Sequence, residues 1–296
     1  MAERFCVLLA ERAALEISGE DRRPFLQGLV SNDVEKAAAD RAIYAALLTA
    51  QGKYLHDFMI TVLDDAFFLD AEAARLADLK RRLALYRLRA KVSLGENGER
   101  YVIAAAFGAD ALSLLGLPEE PGAAVPFAGG VAYVDPRLPA LGARLLLPRG
   151  VKLAPLESLG FTTADAARYD RLRLSLGVPD GSRDLVLEKS ILLESGFEEL
   201  NGVDWQKGCY IGQELTARTK YRALIKKRLI PVAVDGPLPE PGTPVMRGAE
   251  EAGEMRSGRD GMGLVLLRLE ALDDSDAPLT AGAATLTPKK PGWANF

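Results

Sequence analysis

Asn201-Gly202-Val203-Asp204-Trp205-Gln206-Lys207-Gly208-Cys209-Tyr210-Ile211-Gly212-Gln213-Glu214 carries the densest chemical signal in the chain. Cys209 stands between Gly208 and Gly212, residues that allow close backbone approach. From Lys207 to Arg228 there are seven cations, Lys207, Arg218, Lys220, Arg222, Lys226, Lys227 and Arg228, against Glu214 alone, a local balance of +6. Such a field favours a thiolate over a thiol at Cys209. An accessible, low-pKa thiolate suits redox exchange or soft-metal ligation. A free cysteine is more commonly a small buried hydrophobe, and a charge run is commonly a solvated face. Spacing alone leaves both readings open.

Working outward, the 296 residues carry 41 acids against 37 bases, a net charge of −4, with 48% hydrophobic and 26% charged residues. That composition supports about two domains with real cores and excludes disorder as the main state. No apolar run approaches the roughly 20 residues of a membrane helix, and the stretch from Met1 to Cys6 lacks the pattern of a signal peptide. Two cysteines, Cys6 and Cys209, cannot build a disulfide framework and point to a reducing compartment. Cys6, in an N-terminal strand, reads as packing. The only histidine is His56, so neither a structural zinc site nor a His-based triad has other residues to draw on. Mild acidity argues against wholesale nucleic-acid binding and leaves room for a local basic patch.

The first third reads as strands at Arg4–Leu9, Ala14–Ser18 and Ala45–Thr49, a helix capped by Asp21 with Pro24 in its first turn, and a hairpin around Asp64-Asp65. Glu72–Leu88 has helical spacing, with Leu76, Leu79, Leu83 and Tyr86 on one side. Strands follow at Val92, Tyr101–Ile103, Val131–Val134 and Arg144–Leu147, with a short helix over Ala109–Leu115 and a loop over Pro118–Gly130. Thr163–Leu176 reads as a second long helix, capped by Thr162 or Thr163. From Lys227 onward short apolar runs (Leu229–Val234, Leu264–Leu269, Ala283–Thr287) alternate with Gly/Pro turns, the pattern of a small barrel-like β module. These features place an α/β region over 1–222 and a barrel module over 223–296, with the boundary near Ala223.

Lys-Gly-Cys-Tyr-Ile-Gly-Gln-Glu, residues 207–214, resembles the signature of the YgfZ family. These are folate-binding proteins linked to iron–sulfur cluster assembly and repair, related to the aminomethyltransferase (T-protein) of the glycine cleavage system. Phe25-Leu26-Gln27-Gly28 with Asn32-Asp33-Val34, Leu48–Lys53, Asp135-Pro136-Arg137 with Leu141-Gly142 and Arg144, Gly177-Val178-Pro179 and Glu194 match the family's order along most of the chain.

The resemblance implies an α+β fold of three modules arranged as a ring, the last a β-barrel, with tetrahydrofolate or a one-carbon derivative at its centre. Glu194 would accept the pterin's paired N–H groups, as one carboxylate can. Tyr210 and Trp205 would wall the ring, and Lys207 joins the ligand-contact residues. Arg218, Lys220, Arg222 and Arg144 would meet the anionic glutamyl tail. Cys209 and Asp57 are the candidate catalytic residues. His56-Asp57 stands where the aminomethyltransferases carry Asp-Asp, so one carboxylate is missing, and Cys209 itself points away from glycine cleavage. His56 reads as a turn residue with no partner, ahead of a lone general base. The resulting expectation is a folate-binding accessory factor for iron–sulfur proteins, an assembly factor more than an enzyme. Its partners would be folate and iron–sulfur client or assembly proteins, with no membrane. The location would be cytoplasmic, or the mitochondrial matrix for a eukaryotic source. An aminomethyltransferase and a folate-dependent tRNA-modification factor are the rivals, and RNA is the less favoured partner.

Overall fold

The computed structural model describes residues 3–95, 97–222, 225–272 and 277–295. The chain divides into two compact units: Met1–Leu48, His56–Tyr169 and Leu200–Ile211 form one, and Thr49–Leu55, Asp170–Glu199 and Gly212–Phe296 the other. The boundary expected at Ala223 lies outside the described residues.

The first unit is built on two sheets. One has six strands in the order Thr162–Thr163, Arg4–Leu8, Tyr101–Gly108, Ala143–Pro148, Gly130–Val134, Ala124–Phe127. Its pairings are antiparallel except the first, where Phe5 and Cys6 lie parallel to Thr162 and Thr163. The other has five strands in the order Ile43–Leu48, Tyr54–Leu63, Ala66–Glu72, Arg12–Ser18, Ser93–Gly95. Alternation decides the faces. Cys6, Ala104, Ala106, Ala132, Ala143, Leu145 and Leu147 fill one side of the six-stranded sheet. Ile103 and Leu146, from the opposite parity, join Ala14, Ala66 and Phe68 of the five-stranded sheet in a second cluster. Cys6 is fully buried, as its place in a strand led us to expect.

Helix α1 (Arg22–Gln27) and helix α2 (Leu76–Arg87) flank this unit. Asp21 stands at the N-cap of α1, but its carboxylate accepts the Lys91 N–H rather than a helix donor. In α2 Leu79 and Leu83 are buried while Tyr86 is exposed, so the apolar side ends one turn earlier than its spacing predicted. The Asp64-Asp65 hairpin is as expected, with both residues at positive φ (48° and 58°), as type I′ turns require. Two expectations are corrected. Thr162 and Thr163 form a strand instead of capping the next helix, which starts at Ala166. Pro118–Gly130 is not all loop, because Ala124–Phe127 finds a partner in Gly130–Val134.

In the second unit Lys227–Asp235, Met262–Arg268, Glu250–Arg259, Pro244–Arg247, Leu279–Ala281 and Ala284–Pro288 close into a barrel. Ile230, Val232, Val245, Met255, Val265 and Leu286 fill it. The strand Glu250–Arg259 escaped sequence detection because its outward positions are Glu250, Glu251 and Glu254. No helix among the described residues is long and apolar enough to cross a membrane.

Candidate functional site

The loop carrying Cys209 is held on both flanks. Before the thiol, the Lys207 ammonium donates to three backbone carbonyls at and just past the end of α1, those of Gln27 (2.9 Å), Val30 (2.6 Å) and Asn32 (2.7 Å). After it, the Ile211 N–H donates to the Gly28 carbonyl at 3.2 Å. Upstream, Asp204 Oδ1 accepts the Gln206 and Lys207 N–H groups, and the Asp204 N–H donates to Ser31 O at 3.1 Å. Ser31 Oγ donates to Gly202 O at 2.6 Å, and Asn32 Nδ2 donates to Asn201 O at 2.8 Å. The sequence stretches 25–33 and 201–211 are therefore one hydrogen-bonded structure. Lys207 thus satisfies the Gln27 carbonyl, one of those a helix end leaves without partners, together with two from the turn that follows. The Tyr210 ring lies 5.1 Å from the ammonium and is buried, whereas Cys209 is exposed.

This geometry corrects the role given to Lys207. Its three protons are spent on backbone carbonyls, so they are not available to a ligand. Burial pulls its pKa down to about 8, against the opposing pull of Asp33 and Asp204. The local +6 balance is also broken up. Lys220 pairs with Glu198, and Arg228 is buried against Glu199 (3.0 Å) and the Leu193 carbonyl (2.9 Å). Arg218 and Arg222 are exposed; they and the other cations downstream belong to the second unit, and Cys209 to the first.

Asn201 and residues 203–206 also line a cavity of about 540 Å³ in the first unit. Trp205 lies along it, half-buried, with Tyr44 and Pro136. Its charged lining residues are mutually paired: Lys36 with Asp204, and Arg41 with Glu120.

Asp57 lies in the strand Tyr54–Leu63, 5% exposed, and accepts a 2.9 Å hydrogen bond from the Tyr44 hydroxyl. His56 is neither in a turn nor alone. It is buried in the same strand, with Nε2 3.0 Å from Asp78 Oδ2. Burial and the nearby Arg75 lower its pKa to about 4, outweighing Asp78, so the ring is neutral near pH 7 and donates to that carboxylate. Arg144 requires the plainest correction. It is 3% exposed, with Nη1 3.0 Å from Asp70 and Nε 3.4 Å from Asp135, a carboxylate it shares with Arg137. A buried guanidinium neutralised by two aspartates does not reach a ligand's tail.

In the second unit Glu194 sits in the 3₁₀ turn Leu192–Ser195, ended by Gly196 at φ 75°. It is half-buried, and its carboxylate has no hydrogen bond or ion pair with a described residue. Burial raises its pKa, opposed by the positive charges of Lys53, Lys227, Arg228 and Arg256. A second buried network went unnoticed in the sequence. Arg173 bonds Asp170 (2.7 Å), Asp184 and Ser257 (2.9 Å), and Arg259 bonds Asp170 (2.7 Å), joining residues 170–184 to the barrel strand Glu250–Arg259. The Asp/Arg spacing at 170–184 was its only visible signal. Among the described residues no cluster of His, Cys, Asp and Glu is arranged to hold a metal ion.

A family model described as the C-terminal beta-barrel domain of CAF17 matches residues 226–296, the closed barrel. The human mitochondrial iron–sulfur cluster assembly factor IBA57 is 37% identical over 287 residues, covering 90% of this chain and 78% of that protein. The chain belongs to the IBA57 family. The mouse member is 34% identical over 290 residues, and the Neurospora crassa homologue 33% over 245 residues, covering 78% of this chain and 54% of that protein. The fold of this IBA57-family chain is that of the glycine cleavage system aminomethyltransferase T of Bartonella henselae. The TM-score is 0.79 over 99% of this chain and 87% of that one, at 15% identity. The α+β, aminomethyltransferase-like architecture with a terminal barrel is thus the one the motifs implied.

Proposed function

We propose that this chain is a tetrahydrofolate-binding accessory factor for iron–sulfur cluster assembly or repair, with Cys209 as its reactive thiol. Membership of the IBA57 family supports the cluster-assembly part, and the 207–214 stretch carries the finer likeness to YgfZ. The observation that carries the thiol's role is the loop itself: Cys209 is exposed between two hydrogen-bonded anchors, Lys207 and Ile211. One thiol cannot hold a cluster, which takes four ligands, so any cluster contact is shared with a partner protein or glutathione. For the folate, Glu194 supplies a half-buried acceptor with no donor among the described residues, which fits a ligand presenting adjacent N–H groups. The folate would bring the one-carbon chemistry. The chain's part is to orient the pterin through Glu194 and to present sulfur. The mitochondrial names of the relatives favour the matrix over the cytoplasm for a eukaryotic source.

Cys209→Ser is expected to keep tetrahydrofolate affinity and to lose support of iron–sulfur enzymes in a complementation assay. Full support by the variant refutes the thiol's role. Calorimetric titration of tetrahydrofolate into wild type and Glu194→Ala tests the ligand. Binding at equal affinity to both, or to neither, refutes the pterin assignment. Transfer chemistry of the glycine cleavage type has the fold in its favour. An assay for methylene-tetrahydrofolate formation from an aminomethyl-lipoyl carrier decides that question, and Asp57 is the residue it would need.

A further inference from the structure

Residues 75–91 hold seven cations, Arg75, Lys80, Arg81, Arg82, Arg87, Arg89 and Lys91, against Asp78 alone. The first part of this run serves the fold. Leu79 and Leu83 of α2 are fully buried, Arg81 and Arg82 bond Asp78, and Arg75 lies between Glu72 and Asp78. Past Leu83 the character reverses. Leu85 is 66% exposed, Tyr86 44% and Leu88 89%. Leu88 takes φ 42° at the end of the helix, where glycine is the usual residue. A large apolar side chain is therefore held in water at a backbone position that disfavours it. Lys91 pairs with Glu20, whereas Arg87 and Arg89 are exposed and have no ion-pair partner among the described residues.

We propose that the C-terminal tip of α2 (Leu85, Tyr86 and Leu88, rimmed by Arg87 and Arg89) docks a partner protein whose contact face is an apolar spot ringed by carboxylates. Tyrosine and arginine are the residues that dominate protein interfaces when they surround a desolvated centre. Arginine forks pair bidentately with carboxylates. Among the described residues the nearby acids Asp78 and Glu20 are already engaged, so the carboxylates that complement Arg87 and Arg89 come from the partner. A membrane surface fits less well, since a helix lying in a bilayer interface needs a continuous apolar stripe. Here Leu79 and Leu83 spend that stripe on the core and leave only a tip. This proposal is independent of Cys209 and of the folate.

The test places a photo-crosslinking side chain at Leu88 of the full chain in living cells. The expected result is an adduct with a different protein, its crosslinked peptide carrying Asp or Glu around apolar residues. The double variant Arg87→Glu with Arg89→Glu should melt at the wild-type temperature and lose the adduct at least tenfold. Reversing the charge of the crosslinked carboxylates should restore it. Several results overturn the proposal: an adduct no stronger than from the same group at exposed Glu119; crosslinks to lipid, RNA or a second copy of this chain; co-sedimentation of the chain with phosphatidylcholine–phosphatidylserine vesicles that the double variant abolishes; or an adduct indifferent to charge reversal.

Discussion

Replacing Lys207 with methionine keeps the aliphatic stem and removes the ammonium that joins Gln27, Val30 and Asn32. Hydrogen bonds to a charged group contribute about 1.5–3 kcal/mol each and are not additive, and buried acceptors left unmatched cost about 1–3 kcal/mol. One residue serves all three carbonyls, and water reaches some of them once the loop loosens, so the net loss should be about 4 kcal/mol rather than the sum of three full bonds. For a protein of this size that lowers the melting temperature by roughly 8–16 °C. The damage should also be local. Amide exchange should accelerate over 207–211 and 28–33, while the barrel amides keep their protection until global unfolding. Lys207→Arg should not rescue, because a planar fork does not aim at three carbonyls converging on one point. Calorimetry and exchange measured by mass spectrometry give both numbers. A melting temperature within about 2 °C of wild type, with unchanged exchange at 207–211, would refute the clip.

Three further outcomes follow from buried groups. His56 has a folded pKa of about 4 against an ordinary 6.5, so between those values the unfolded chain binds a proton that the native ring refuses. Stability should fall as pH drops through that window, by about 3 kcal/mol at its foot, and His56→Gln should flatten the slope in urea melts taken between pH 7 and 4. Arg144→Met should cost about 3–5 kcal/mol in denaturant titration by leaving Asp70 and Asp135 short of a buried cation. Gly142→Ala should destabilise by more than about 1 kcal/mol in denaturant titration, since φ is 82° there and a Cβ would lie 2.3 Å from the Ala106 carbonyl oxygen.

Local pattern carried the strands, the Asp64-Asp65 hairpin and the existence of the barrel, because period-two burial and turn chemistry are written in neighbouring residues. It failed at Glu250–Arg259, where the barrel's outward face is acidic, and at Thr162–Thr163, whose pairing with Phe5 and Cys6 is remote in sequence. The site was legible in its residue names more than in their roles. Cys209 is exposed and Glu194 has no hydrogen bond or ion pair with a described residue, while the roles their motifs suggested rest on the resemblance. Lys207 and Arg144, however, looked like free cations, because charge is visible in a sequence and neutralisation is not. The carbonyls that hold Lys207 leave no trace in side-chain composition, and Asp70 and Asp135 become Arg144's partners only when three strands are laid together.

The discontinuity of the first unit fixes when its thiol loop can be built. The ribosome finishes Tyr169, then makes thirty residues of the other unit before Leu200–Ile211 return to meet the segment after α1. Until then the carbonyls of Gln27, Val30 and Asn32 have no Lys207, and a nascent chain or a fragment stopping at Tyr169 lacks both the clip and the sulfur. Sulfur and anchor thus arrive together in one segment of synthesis, and a chain stopped before Lys207 has neither.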